Sequence, residues 1–179
     1  ALVDVLRGSS KDACIERGHV RAWKFVTFGQ RELAKSSGRW YYELLVRKSD
    51  YPQVGWADRR FEIDPSLCDD GVGDDEFSWG VDGVRGAKWH NGLENYDLEW
   101  PRPVVVGCAL DLDSTPRTIQ FSVDGRWPET PEFQDITFEG GVYPAASGIL
   151  VAEFRFHAST CTHAPPDGSF QHLLGQSSG

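Results

Sequence analysis

Apolar residues fall along this chain in short alternating runs separated by Gly, Pro, Asn and Asp, and almost nowhere at a helical period. Residues 39–46 (Arg-Trp-Tyr-Tyr-Glu-Leu-Leu-Val) are dense in aromatic and aliphatic side chains, with Gly38 before them and Lys48-Ser49-Asp50 after. That composition and punctuation predict a strand. Residues 53–57 predict a second, and 77–81 alternate so that Phe77, Trp79 and Val81 share one face. The nearly continuous apolar run 104–112 predicts a central strand. Residues 118–123 alternate with Ile119, Phe121 and Val123 inward, and 142–146 and 151–156 complete the series. Asp82-Gly83, Asn91-Gly92, Asp124-Gly125 and Gly140-Gly141 supply the positive φ that tight turns demand. Residues 30–36 have room for one or two helical turns, and 2–6 fit helix or strand equally. Many short antiparallel strands with turns at regular intervals predict an all-β sandwich or barrel with little helix. No linker or repeat divides the chain, so 1–160 is expected to be a single domain with an N-terminal extension. The pattern decays from about Thr160, so 161–179 are expected to form a tail, flexible over 175–179.

Seven Trp, ten Phe and five Tyr in 179 residues suit the core of stacked sheets, and Trp40, Trp56, Trp79, Phe121, Tyr143 and Phe154 are assigned to it. A net charge of −9 argues against a broad nucleic-acid surface. No apolar run approaches the ~20 residues of a membrane span, so no membrane insertion by this domain is expected. With no Met anywhere, the chain is expected to be a piece of a longer protein. Its four cysteines (Cys14, Cys68, Cys108, Cys161) contain no C-x-x-C and are expected to be reduced. Cys108 is expected to be a small core residue. The expected localisation is cytoplasmic, or cytosol-facing if the parent is a membrane protein.

Chemistry-bearing motifs are sparse. There is no G-x-S-x-G elbow, the five histidines are scattered, and Cys161-x-His163 has no second pair at zinc spacing. The acidic run 69–76 fails as an EF-hand, because Phe77 stands where the bidentate Glu belongs; it fits a solvated loop. Asp111 and Asp113 share a strand face, but their setting predicts a turn whose amides they bond. No catalytic residue, metal site or cofactor is expected.

Seven blocks, in order, resemble the SPRY domain, the core of the B30.2 family. They are Gly38-Arg39-Trp40-Tyr41-Tyr42-Glu43, Val54-Gly55-Trp56-Ala57, Ser78-Trp79-Gly80-Val81-Asp82-Gly83 and Trp89-His90-Asn91-Gly92, then the 106–113, 119–125 and 142–147 segments. Within the family, the acidic Gly71-Val72-Gly73-Asp74-Asp75 and the Pro165-Pro166-Asp167-Gly168-Ser169-Phe170 segment are most similar to the SPRY repeats of ryanodine receptors. The departures are Val81 where an aromatic is usual, Pro101-Arg102-Pro103 before the central strand, and Trp127, which has no counterpart.

The resemblance implies a bent antiparallel β-sandwich, a concanavalin-like jelly roll. It further implies a non-catalytic protein–protein interaction module that binds a peptide segment or partner domain through loops at one edge. Such a module acts in trans as an adaptor, or packs against other domains of its parent. Three loops are expected to carry binding: Lys48-Ser49-Asp50-Tyr51; the stretch from Arg59-Arg60-Phe61 to Leu67-Cys68-Asp69-Asp70; and Ser147-Gly148-Ile149-Leu150. Tyr51, Phe61, Ile149 and Leu150 are expected to give apolar contact, and Arg59, Arg60, Asp69 and Asp70 polar register. The second and third loops are expected to face each other across a pocket. The alternative is a lectin-like or glycan-processing sandwich, since carbohydrate binders share the architecture.

Overall fold

Two strands organise the molecule, and both are longer than the hydrophobic pattern predicts. In the computed structural model, which describes residues 2–175, the segments 39–46 and 53–57 join into one 20-residue strand. The segments 142–146 and 151–156 likewise fuse into one of 14 residues. In chain order the strands are β1 (Asp4–Arg7), β2 (Ala13–Glu16), β3 (His19–Ala22), β4 (Val26–Gly29), β5 (Arg39–Asp58), β6 (Ser78–Asp82) and β7 (Ala87–Trp89). They continue with β8 (Leu93–Asn95), β9 (Val104–Asp111), β10 (Thr118–Val123), β11 (Phe133–Gln134), β12 (Val142–Arg155) and β13 (Gln171–His172). Helix is limited to two 3-10 turns among the described residues, one at Arg31–Leu33 where one or two turns were expected.

β5 and β12 pair antiparallel along almost their whole length. The first half of β5 also pairs with β9, which pairs with β10 and it with β11. The second half pairs with β6, followed by β7 and β8. On the other side, β12 holds β4 and β1 along its first half and β3 and β2 along its second. Two layers therefore result, β2-β3-β12-β5-β9-β10-β11 and β1-β4-β12-β5-β6-β7-β8, sharing the long strands. One distance proves the fold-back. Tyr42 and Trp56 lie on one strand, and a straight strand would hold them ~45 Å apart. Their rings meet edge-on with centroids 5.0 Å apart, and the Tyr42 hydroxyl donates to the Gly55 carbonyl at 2.6 Å.

The main core draws on both layers: Tyr42, Leu44, Cys108, Leu110, Ile119 and Phe121 from one, Phe28, Val54, Trp56, Trp79 and Val81 from the other. Phe77 is not with Trp79. It packs against a smaller cluster of Leu6, Ala57, Phe61, Val72, Tyr143 and Ala145, because β6 starts only at Ser78. Trp40, expected in the core, is only half-buried; its indole donates to Ser37 O at 2.7 Å beneath the Lys35 ammonium. Asp124-Gly125 forms the expected two-residue hairpin, both at positive φ, closed by reciprocal bonds between Val123 and Arg126. Asp111 accepts from the amides of Asp113 and Ser114 as a turn residue. All four cysteines are unpaired, and Cys108 is fully buried.

The stretch after Thr160, expected as a tail, packs on the body up to residue 175; the expectation for 176–179 lies outside the described residues. β13 runs parallel to the start of β5, Phe170 and Leu173 are buried, and the Trp127 indole caps Tyr41 and donates to Ala164 O at 3.3 Å. The fastening is Glu43. Fully buried, its carboxylate accepts from the Tyr41 hydroxyl and from the amides of Thr162 and His163, the last two at 2.8 Å.

Candidate functional site

The β5–β12 ladder slips twice near its middle, and the slips create the surface of interest. Lys48 faces Val151, but the next pair is Val46 with Ala152, leaving Arg47 unopposed. A bulge of this kind breaks the in–out alternation, so Arg47 and Lys48 are both exposed. At the second slip Gln53 faces Ser147 and Asp50 faces Ile149, so Tyr51 and Pro52 oppose Gly148 alone. Tyr51 is pushed outward at φ 54°, with 55% of its surface exposed. Lys48-Ser49-Asp50-Tyr51 and Ser147-Gly148-Ile149-Leu150 are therefore not loops. They are the bulged midpoints of two paired strands, lying side by side, and the sequence mimics a turn there because a bulge interrupts the alternation.

Beside these bulges lies a groove of about 320 Å³ lined by Arg21, Trp23, Lys48, Asp50, Ile149 and Arg102, among others. A second hollow of about 230 Å³ shares Lys48, Ser49 and Arg102 and continues to Val84 and Trp100. Trp23 in the groove and Val84 in the second hollow are half-exposed large apolar residues. Trp23, Arg21 and Arg102 did not figure among the expected binding residues. A signal existed: Val20 and Ala22 alternate inward along β3, which sends the adjoining Trp23 to the surface between Arg21 and Lys24.

The 59–70 stretch behaves differently. Arg60 is bound to the fully buried Asp58 carboxylate at 2.6 Å, and Arg59 donates to Gly140 O at 3.0 Å. Phe61 is buried, with the Arg7 guanidinium 3.5 Å from its ring centre. Arg7 in turn binds Glu62 O, Asp70 O and the Asp75 carboxylate, pinning the loop down. Leu67 and Asp70 border a hollow of about 260 Å³ with Arg7, Arg60, Asp74 and Asp75, where burial raises the Asp74 carboxyl above its usual range. Cys68 and Asp69 lie exposed beside Lys24 and Phe25.

Phe61, Leu150 and Ser147 thus cannot serve as outward contacts; all three are buried. Leu150 joins the main core. The Ser147 hydroxyl bonds Thr27 Oγ1 at 2.6 Å and accepts from Val72 N at 3.0 Å, while Gln53 donates to Val72 O at 2.7 Å. This buried network ties the third expected segment to Val72, just beyond the second, and includes no residue of 59–70. Tyr51 and Ile149 keep surface, as do Lys48, Asp50 and Asp69.

Among the described residues no three His, Cys, Asp or Glu side chains converge as a metal site would require. The family model of the SPRY domain matches residues 39–157, and the chain belongs to that family. SPRY domains are in general protein-interaction modules without catalysis. Over 76 residues the chain is 37% identical to the E3 ubiquitin-protein ligase RKP of Arabidopsis thaliana, covering 42% of this chain and 6% of that protein. Over 92 residues it is 30% identical to the ATP-dependent RNA helicase DDX1 of Xenopus laevis, covering 51% of this chain and 11% of that protein. The chain thus spans a small fraction of these relatives' length.

Proposed function

We propose that this SPRY domain docks a segment of a partner protein in the groove between Trp23 and the bulged midpoints of β5 and β12. The observation that carries this reading is the groove itself. It places the half-exposed Trp23 beside Ile149 and Val151 on a floor of paired backbone, with cationic side chains at the margin. Interfaces take most of their energy from a central aromatic or Arg anchor ringed by polar contacts, and this groove has that composition. A floor made by two core strands is rigid, so little ordering entropy is lost on binding.

The relatives contain the matched stretch as a small part of long chains, which supports a role as one docking module within a larger protein, in trans or against a sister domain. Four unpaired cysteines, two of them exposed, support a reducing, cytoplasmic setting. The test is site-specific photocrosslinking in cells, with benzoylphenylalanine at Trp23 or, as a control, at the exposed Leu93 on β8. A discrete protein adduct from position 23, absent from 93 and lost in an Ile149→Asp background of unchanged melting temperature, is expected. Equal adducts from both positions would refute the assignment.

A further inference from the structure

The charge around this groove runs against the charge of the chain. Acidic residues outnumber basic ones 27 to 18, and most buried or half-buried arginines are committed: Arg7 to Asp75, Arg39 to Asp111, Arg60 to Asp58 and Arg155 to Glu153, while the exposed Arg85 is tied to Asp82. Arg21, Arg47, Lys48 and Arg102 are different. All four are exposed, and they line the groove and the two hollows that adjoin it. The ion pairs and side-chain hydrogen bonds found among the described residues involve none of them.

Their placement follows from the ladder. Arg21 on β3, Val151 on β12 and Lys48 on β5 are successive cross-strand partners, so their side chains project from one face of the sheet in a row. The bulge adds Arg47 beside Lys48, and Arg102 flanks them where the chain enters β9. Carboxylates along the same belt are Asp50, Glu99 and Glu16. Unpaired cations held side by side repel one another, an arrangement relieved by an anion laid across them.

We infer that the segment docked here is acidic, an extended peptide bearing carboxylates on either side of one aromatic or aliphatic residue that settles against Trp23 and Ile149. This rests on the docking reading above. Charge complementarity selects the peptide over a nucleic acid. Four cations span only a short belt on a domain of net charge −9, whose field repels a long polyanion, whereas the apolar centre offers a side chain a seat.

The test is fluorescence anisotropy with labelled peptides of about ten residues, rich in Asp and Glu around a central Trp, Phe or Leu. Neutral Asn/Gln counterparts and an oligothymidylate of similar length are run beside them. Acidic peptides are expected to bind at least about tenfold more tightly than neutral ones, and to weaken as salt shortens the ~10 Å screening length. The Lys48→Glu/Arg102→Glu double variant is expected to lose about tenfold or more, while Arg126→Glu, on the exposed hairpin outside the belt, stays within about twofold. Equal binding of neutral peptides, indifference to the double reversal, or equal binding of oligothymidylate would each overturn the inference. If neutral peptides bind and Trp23→Ala abolishes that binding, the acidic preference falls while the docking reading stands. If the position-23 crosslink also fails, both fall.

Discussion

Glu132 has only 7% of its surface exposed, and its carboxyl is held beside the Phe121 amide, which donates to it at 3.1 Å. Burial pushes its pKa from the usual 4.5 up to about 7, against the opposing pull of hydrogen bonds and of Lys88. The native state therefore holds this proton more tightly than the unfolded chain does. Stability from this group is full below pH ~4.5, declines as the unfolded chain ionises, and stops declining once pH passes ~7. At ~1.4 kcal/mol per pH unit over that interval, the total comes to ~3 kcal/mol. Glu132→Gln keeps an oxygen to accept from Phe121 and cannot ionise. Urea melts of both proteins from pH 5 to 8 are expected to show similar stabilities at the acid end. The curves then diverge until the variant leads by ~2–3 kcal/mol at pH 8, about 4–12 °C in melting temperature for a domain of this size. Parallel pH profiles, or a variant that is the less stable at pH 8, would refute the reasoning.

Further outcomes follow from the packing. Trp56→Ala, at the fold-back of β5, should cost ~3–5 kcal/mol, read as a lowered denaturant midpoint. Gly55→Ala would put a methyl 1.9 Å from Trp79 O, a backbone atom that cannot yield, and should cost ~3 kcal/mol or more. Gly168→Ala, with nothing within 4 Å, should leave the thermal midpoint unchanged; a comparable loss in both glycine variants would contradict the model of close strand approach. Glu43→Ala strips the acceptor from the Thr162 and His163 amides, a loss of ~2–3 kcal/mol. Hydrogen exchange should show residues 160–174 opening while β9 and β10 stay protected; uniform protection would count against the fastening role.

The alternation of 118–123 and the apolar run at 104–111 were legible because regular strands with one buried face follow a period of two. β5 and β12 were broken in the reading for the converse reason. One bulge exposes Arg47-Lys48 together and a second ejects Tyr51, and in one dimension that looks like a turn. Burial of Phe61 depends on a cation from β1 lying over its ring, and the docking of residues 160–174 depends on a carboxylate nearly 120 positions earlier. Such pairings leave no local periodicity. Trp40 and Trp56 occupy similar aromatic contexts, yet one sits half-buried beneath Lys35 and the other lies in the centre of the core. At the site, Ile149 and Lys48 were visible from the family blocks, whereas Trp23 and Arg102 reach the groove from just after β3 and just before β9, strands whose placement only the topology specifies.

Backbone chemical-shift mapping of the isotopically labelled domain, titrated with the tightest acidic peptide, tests the central claim most directly. Shifts are expected to concentrate at residues 21–23, 47–51, 100–102 and 149–151, and to vanish for Trp23→Ala with an otherwise unchanged spectrum. Shifts centred instead on the hollow between Arg7 and Asp74, or along β8, with this groove silent, would contradict it.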